Sequence, residues 1–169
     1  MTYKDKTFLP MFKEFGGLKR ISTEFDFLLA LIIGVSSTII IGYFDMTTAI
    51  INELCPLFIT ISATMVAIAI AGLAIIASLS DPIFIKILKT ADIYNRILFF
   101  FYYSAVISGL SIIVNVFTYI SPLFIYKNII FTILFGLSTF LVLYSLFAVI
   151  LLVGTTMRYG IYRGDFIMK

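Results

Sequence analysis

The chain has 169 residues, of which 62% are hydrophobic and 12% are charged, and its formal net charge at pH 7 is +3. A soluble domain carries ~25% charged residues and, at this size, leaves about 30% of its chain surface in water. A soluble fold could not hide so much apolar surface. The composition therefore excludes a soluble enzyme, a disordered chain and a secreted scaffold held together by disulfides.

Four stretches without a charged residue are long enough to cross a bilayer, which takes about 20 apolar residues in a helix. They are residues 27–44, 54–80, 97–120 and 128–157. Membrane β-strands alternate polar and apolar side chains, whereas residues 97–101 read Ile-Leu-Phe-Phe-Phe. We therefore predict an all-α integral membrane protein with four transmembrane helices, which form one transmembrane domain over residues 27–157.

Lys and Arg concentrate in three segments that lie on one side of the membrane if the chain crosses it four times. These segments are residues 1–26, 81–96 and 158–169. Cytoplasmic flanks of membrane helices are enriched in basic residues, so we expect a multi-pass protein with both termini cytoplasmic. The basic residues form no dense patch, and we expect no direct binding of nucleic acid.

The segments outside the spans carry their own signals. Residues 1–26 have apolar side chains at three- and four-residue steps, which predicts an interfacial amphipathic helix. This pattern includes Phe8, Met11, Phe12, Phe15 and Leu18. Asp81 followed by Pro82 is a helix-start signal, so residues 81–96 are predicted to be a structured cytoplasmic loop. Each segment either anchors the protein on the lipid bilayer or docks a cytosolic protein partner, and residues 158–169 form a cytoplasmic tail.

The predicted spans contain no Asp, Glu, Lys or Arg, and the chain has no His and a single Cys, Cys55. Coupled transporters and pumps carry ionisable residues within their spans. Intramembrane hydrolases need a nucleophile with a base, or metal ligands. We therefore predict that the protein is not an enzyme and has no catalytic residue, cofactor or metal.

The second span carries a row of small side chains at alternating steps of four and three residues. Its members are Thr60, Thr64, Ala67, Ala71, Ala74 and Ser78. Such spacing keeps a row on one face of a left-handed helix pair, and small residues let helices approach closely in lipid. We interpret the row as a helix-packing seam, with a pore lining as the alternative.

The third span carries a row of polar side chains with the same rhythm. Its members are Ser104, Ser108, Ser111, Asn115 and Thr118. One interpretation is structural: the hydroxyls bond to their own helix, and Asn115 bonds to a neighbouring helix. The other is that the row lines a pore, because uncharged polar groups can solvate an ion path in an oligomer.

The first and fourth spans differ in the size of their side chains. Small residues at four-residue steps in the first span predict close packing; they are Ala30, Gly34, Thr38 and Gly42. The fourth span is expected to be lipid-facing or peripheral because it carries bulky aromatic side chains. These are Phe131, Phe135, Phe140, Tyr144 and Phe147. Three of the four spans carry a row of small or polar residues, which is more helix-packing surface than a single four-helix bundle needs. We therefore predict a homo-oligomer.

The loop between the first two spans, residues 45–53, carries two acidic residues and no basic one. Asp45 and Glu53 would be repeated around the axis of a symmetric oligomer, forming a negative ring at a candidate outer mouth. Such rings favour the passage of cations. The alternative is that both acids merely mark a loop outside the cytoplasm.

Residues 70–82, IAGLAIIASLSDP, join a small-residue span to a capped cytoplasmic helix. This stretch and the four-span plan resemble small four-helix membrane effector proteins of bacterial anti-phage defence operons. The resemblance implies an oligomeric effector in the bacterial inner (cell) membrane that alters permeability under the control of a cytosolic partner; it carries over no functional residue. We therefore predict an oligomeric channel or pore-type effector. The alternatives are a non-conducting scaffold that recruits a cytosolic partner, and a holin-like or small transporter protein.

Overall fold

A computed structural model describes residues 25–44, 47–78, 93–123 and 128–167 of the chain. These residues form four helices that are long and apolar enough to cross a membrane. In chain order they are α1 (Phe25–Phe44), α2 (Thr47–Ser78), α3 (Ile93–Ile120) and α4 (Asn128–Ile167). A 3-10 turn, Ser121–Leu123, follows α3. This confirms the prediction of an all-α protein with four helices suited to span a membrane.

All four helices extend beyond the predicted spans, and α1 does so by only two residues because it begins at Phe25. α2 begins at Thr47, so most of the predicted loop 45–53 is helical. α3 begins at Ile93, and α4 continues to Ile167, well into the predicted tail. The 40 residues of α4 make it about 60 Å long, roughly twice the ~30 Å of the hydrocarbon core. The uncharged runs in the sequence are therefore shorter than the helices that contain them.

Two predicted elements fall largely outside the described residues. They are the interfacial helix expected in residues 1–26, where the description begins at Phe25, and the short helix expected in residues 81–96, where it begins at Ile93. The orientation of the bundle across the membrane stays a prediction, because it depends on the charges of these segments.

α4 is the central helix of the bundle. It packs against α1, α2 and α3, whereas α1 packs chiefly against α4. The buried share of the apolar window rises from 17% in α1 to 44% in α4. The expectation that the fourth span is lipid-facing or peripheral is therefore wrong, and Phe131, Phe135 and Tyr144 are buried. These bulky side chains fill the space that small residues leave on the neighbouring helices.

Two clusters of buried side chains show the direction of each helix. One cluster joins the end of α1 to the starts of α2 and α4 through Ile41, Cys55 and Phe131. The other joins the ends of α2 and α4 to the start of α3 through Ile76, Tyr159 and Ile97. Successive helices therefore run in opposite directions. The start of α1 and the end of α4 lie at the same end of the bundle, as four crossings require.

α1 approaches α4 closely where two glycines face each other. A Cβ atom added at Gly136 would lie 1.7 Å from Thr38 Oγ1 and 3.0 Å from the backbone oxygen of Gly34. A Cβ atom added at Gly34 would lie 2.8 Å from the Cβ of Phe140. Only glycine allows this separation. The close packing predicted for the first-span row is therefore confirmed at Gly34 and Thr38.

Candidate functional site

The polar row predicted on the third span is the candidate site, and it lies inside the chain. All five of its members are 0% exposed: Ser104, Ser108, Ser111, Asn115 and Thr118. At ~1.5 Å per residue the row runs for about 21 Å, roughly two-thirds of the hydrocarbon core. The sequence-based hypothesis placed a water path between subunits. In the structure, the row faces the interior of a single bundle.

Hydroxyl pairs connect α3 to both of its neighbours. Ser111 Oγ lies 2.9 Å from Ser62 Oγ of α2. Thr118 Oγ1 lies 2.9 Å from Ser138 Oγ of α4 and donates to the backbone oxygen of Val114 at 2.8 Å. Such bonds between membrane helices contribute about 0.6 kcal/mol on average. The expectation that the hydroxyls bond to their own helix therefore holds for Thr118, whereas Ser111 bonds across to α2. The expectation that Asn115 bonds to a neighbouring helix is wrong, because its Nδ2 donates within α3.

Asn115 has one half of its amide bonded and the other half unpaired. Its Nδ2 donates to the backbone oxygen of Ser111 at 2.8 Å and reaches the Oγ of the same residue at 3.3 Å. Because a backbone oxygen only accepts, this bond fixes which end of the amide is nitrogen. Asn115 Oδ1 then points elsewhere in the interior and has no hydrogen-bond partner.

Ser104 and Ser108 differ from the other buried Ser and Thr residues of the helices. Thr139, for example, donates to the backbone oxygen of Phe135 at 3.0 Å, as Ser and Thr commonly do in helices. The Oγ atoms of Ser104 and Ser108 are buried and make no such bond. A buried polar group without a partner costs about 1–3 kcal/mol. Three such atoms on one face of α3 are therefore a feature that packing alone does not explain.

The site contains no ionisable group in the part of the chain that the structure describes. The buried members of the row and their partners Ser62 and Ser138 are all Ser, Thr or Asn, and no three potential metal ligands lie together among the described residues. Such groups offer neither a base for a nucleophile nor a charge that could couple transport to protons. What they can do chemically is donate and accept hydrogen bonds, and so replace water around a small solute.

An aromatic cluster holds three helices together beside the Ser104 end of the row. The hydroxyl groups of Tyr103 and Tyr144 share a hydrogen bond between α3 and α4. Phe27 of α1 meets the rings of Phe140 and Tyr144 edge-on, at centroid distances of 5.4 and 5.5 Å. α1, which is otherwise peripheral, is thereby fixed next to the candidate site.

The small-residue row of α2 does not form a seam within the chain. All six of its members are exposed: Thr60, Thr64, Ala67, Ala71, Ala74 and Ser78. They lie on the side of the helix opposite to the buried Met65, Ala69 and Ile76. The hydroxyls of this α2 small-residue face are satisfied, since Thr60, Thr64 and Ser78 donate to their own backbone. Packing of this face against another subunit stays a prediction.

Only one of the two acids of the candidate outer mouth lies within the described residues. Glu53 is exposed and lies within α2, not in a loop. Asp45 lies outside the described residues. The ring of negative charge stays a prediction at both positions.

Sequence reasoning did not single out the residues that meet the row from α2 and α4. They are Ser62 and Ser138. Sequence reasoning also missed Ser145, whose Oγ lies 3.1 Å from Met65 Sδ and joins α4 to α2. The available signal was the spacing of Ser138 and Ser145, seven residues apart on a face of α4. A single serine such as Ser62 on an apolar helix gives no comparable signal.

Comparison with known proteins adds no family to this description. No family model, curated protein or solved structure matches the chain.

Proposed function

We propose that the protein is a homo-oligomeric channel or pore-type membrane protein that alters the permeability of the bilayer. The observation that carries this proposal is the α3 polar row, which keeps hydrogen-bonding groups in the middle of an apolar bundle. Polar groups are costly to bury in such surroundings. Helix pairing accounts for Ser111 and Thr118 but not for Ser104, Ser108 and the Oδ1 atom of Asn115.

The uncharged lining favours passive passage over coupled transport. Transporters that move a solute against its gradient use ionisable groups to bind and release the coupling ion. In the described helices the buried polar groups are hydroxyls and one amide. These groups replace part of the hydration of a solute without holding it tightly, which is what conduction requires.

The α2 small-residue face supports the oligomeric part of the proposal. It faces away from the bundle, and its Ala and Thr side chains let a second helix come close. Its hydroxyls already bond to their own backbone, so packing leaves none of them unpaired. A second copy of the chain is the partner that we propose for this face.

Control by a cytosolic partner in anti-phage defence is a separate part of the proposal. It depends on the resemblance of residues 70–82, and the docking segments would be residues 1–26 or 81–96. Removing the partner would change when the protein conducts, while flux through the isolated protein would depend only on the bundle.

Flux from liposomes tests the proposed function. The purified full chain is reconstituted into vesicles loaded with KCl, and efflux of K⁺ and Cl⁻ is followed beside glycerol-driven swelling. Protein-free vesicles of the same lipid are the control. We expect passive flux that rises with the protein-to-lipid ratio and needs no second gradient. An impermeable vesicle in every assay would favour the alternative, a non-conducting scaffold that recruits a cytosolic partner.

A further inference from the structure

Ser104, Ser108 and Asn115 leave three buried oxygen atoms without a partner on one face of α3. We propose that resident water molecules occupy the interior of each subunit beside these side chains and bond to them. The inference deepens the proposed function by naming what fills the polar row. Resident water can be present whether or not the row conducts, so the two are tested separately.

Asn115 gives the strongest reason to place water here. Its Oδ1 can only accept a hydrogen bond, and the bond from Nδ2 to the backbone of Ser111 turns it away from its own helix. The nearby hydroxyls already have partners, since Ser111 pairs with Ser62 and Thr118 donates to a backbone oxygen. Lipid chains offer no donor. Water is the small molecule that supplies one.

The hydroxyl groups of Ser104 and Ser108 lie at a separation that one water molecule can bridge. They are four residues apart, so their Cβ atoms lie about 5–6 Å from each other on one face of the helix. A water molecule that bonds to both hydroxyls spans two distances of ~2.8 Å, which matches this spacing. Buried waters make about three hydrogen bonds each, so this water bonds to both hydroxyls and to a further water. Asn115 lies seven residues, or about 10 Å, along the helix from Ser108 and needs a water of its own.

The chemistry of the row selects water, or a small uncharged solute that hydrogen-bonds like water, over an ion. A cation stripped of its hydration shell needs several oxygen ligands, and carboxylates usually supply part of them. No carboxylate is among the buried side chains of the described helices. The three unpaired oxygens cannot replace a full hydration shell, but they can complete the bonds of water.

Water-edited solid-state NMR of the native full chain in liposomes tests the inference. The protein carries labelled Asn and Ser, and the transfer of magnetisation from water to each side chain is timed. We expect the build-up at Asn115 and Ser108 to be several times faster than at Ser145, which is equally buried but has two partners. A build-up at Asn115 as slow as that at Ser145 would overturn the inference.

A pair of variants tests the positions of the waters. Ser104→Ala removes one of the two hydroxyls to which the bridging water bonds, so transfer to Ser108 should fall severalfold. Thr155→Ala is the control, because Thr155 is outside the row and bonds to its own backbone. Unchanged transfer to Ser108 in Ser104→Ala would contradict the bridging arrangement. If magnetisation passes from water to Asn115 but the liposomes show no flux, the inference holds and the proposed function is wrong. If the liposomes show flux but Asn115 receives no magnetisation from water, the proposed function holds and the inference is wrong.

Discussion

The Oγ atoms of Ser62 and Ser111 lie 2.9 Å apart between α2 and α3, and both side chains are fully buried. Asn115 reaches the same Ser111 hydroxyl with its Nδ2 at 3.3 Å, while its Oδ1 has no partner. Ser111 therefore bonds both to the neighbouring helix α2 and to Asn115, the residue of the row whose Oδ1 atom is unpaired.

The first prediction concerns the stability of this contact. Ser62→Ala and Ser111→Ala, singly and together, should reveal a coupling energy of about 0.6 kcal/mol, and no more than about 1.7 kcal/mol. The measurement is the free energy of unfolding in mixed detergent micelles. Thr155→Ala is the control, since Thr155 bonds to its own backbone and lies outside both the α3 polar row and the α2 small-residue face. Additive effects of Ser62→Ala and Ser111→Ala would show that the two hydroxyls do not interact.

The second prediction concerns the contact between α1 and α4. Gly136→Ala should lower the free energy of unfolding by about 1–3 kcal/mol, because overpacking forces the two backbones apart. Gly109→Ala is the matched control, since a Cβ atom there meets nothing within 4 Å. Thr38→Ala should recover part of the loss, because Thr38 Oγ1 is the atom that the new Cβ would meet. Equal effects of the two glycine substitutions would contradict the close approach.

Much of the fold follows from the sequence because the physical requirement is simple. A helix in lipid must be long and free of charge, and the four runs that meet this condition correspond to the four helices. The central position of α4 in the bundle could not be predicted from the sequence. Bulky side chains such as Phe135 suit a lipid surface and a well-filled interior equally, and only the neighbouring helices decide between the two.

The rows on α2 and α3 show a second limit of sequence reasoning. Their rhythm correctly grouped the residues that share a face, but it did not say where each face points. The α3 polar row faces into the bundle, whereas the α2 small-residue face looks outward. The partners of the row, Ser62 and Ser138, become visible only when the helices are packed together.

The third prediction concerns the oligomer. Ala71→Leu should weaken self-association, because a bulky side chain keeps a second α2 helix at a distance. Ala77→Leu makes the same change at an exposed position outside the row and serves as the control. The measurement is the mass distribution of the detergent-solubilised protein. A native protein that is monomeric at micromolar concentration would contradict the prediction of a homo-oligomer.

The fourth prediction concerns orientation, which follows from the distribution of Lys and Arg. In a Cys55→Ser background, Lys127→Cys should react with an impermeant thiol reagent added to intact cells. Lys86→Cys should react only after the cells are opened. The opposite labelling pattern would reverse the predicted topology and the assignment of residues 45–53 to an outer mouth.

The central claim is that the polar row inside each bundle gives the membrane its permeability. Flux through liposomes that carry the native chain or Asn115→Leu tests it most directly. A bulky apolar side chain at this position should expel water from the row and remove most of the flux. Val116→Leu enlarges an outward-facing side chain of the same helix and should leave the flux unchanged. A folded Asn115→Leu protein that conducts as well as the native chain would contradict the account.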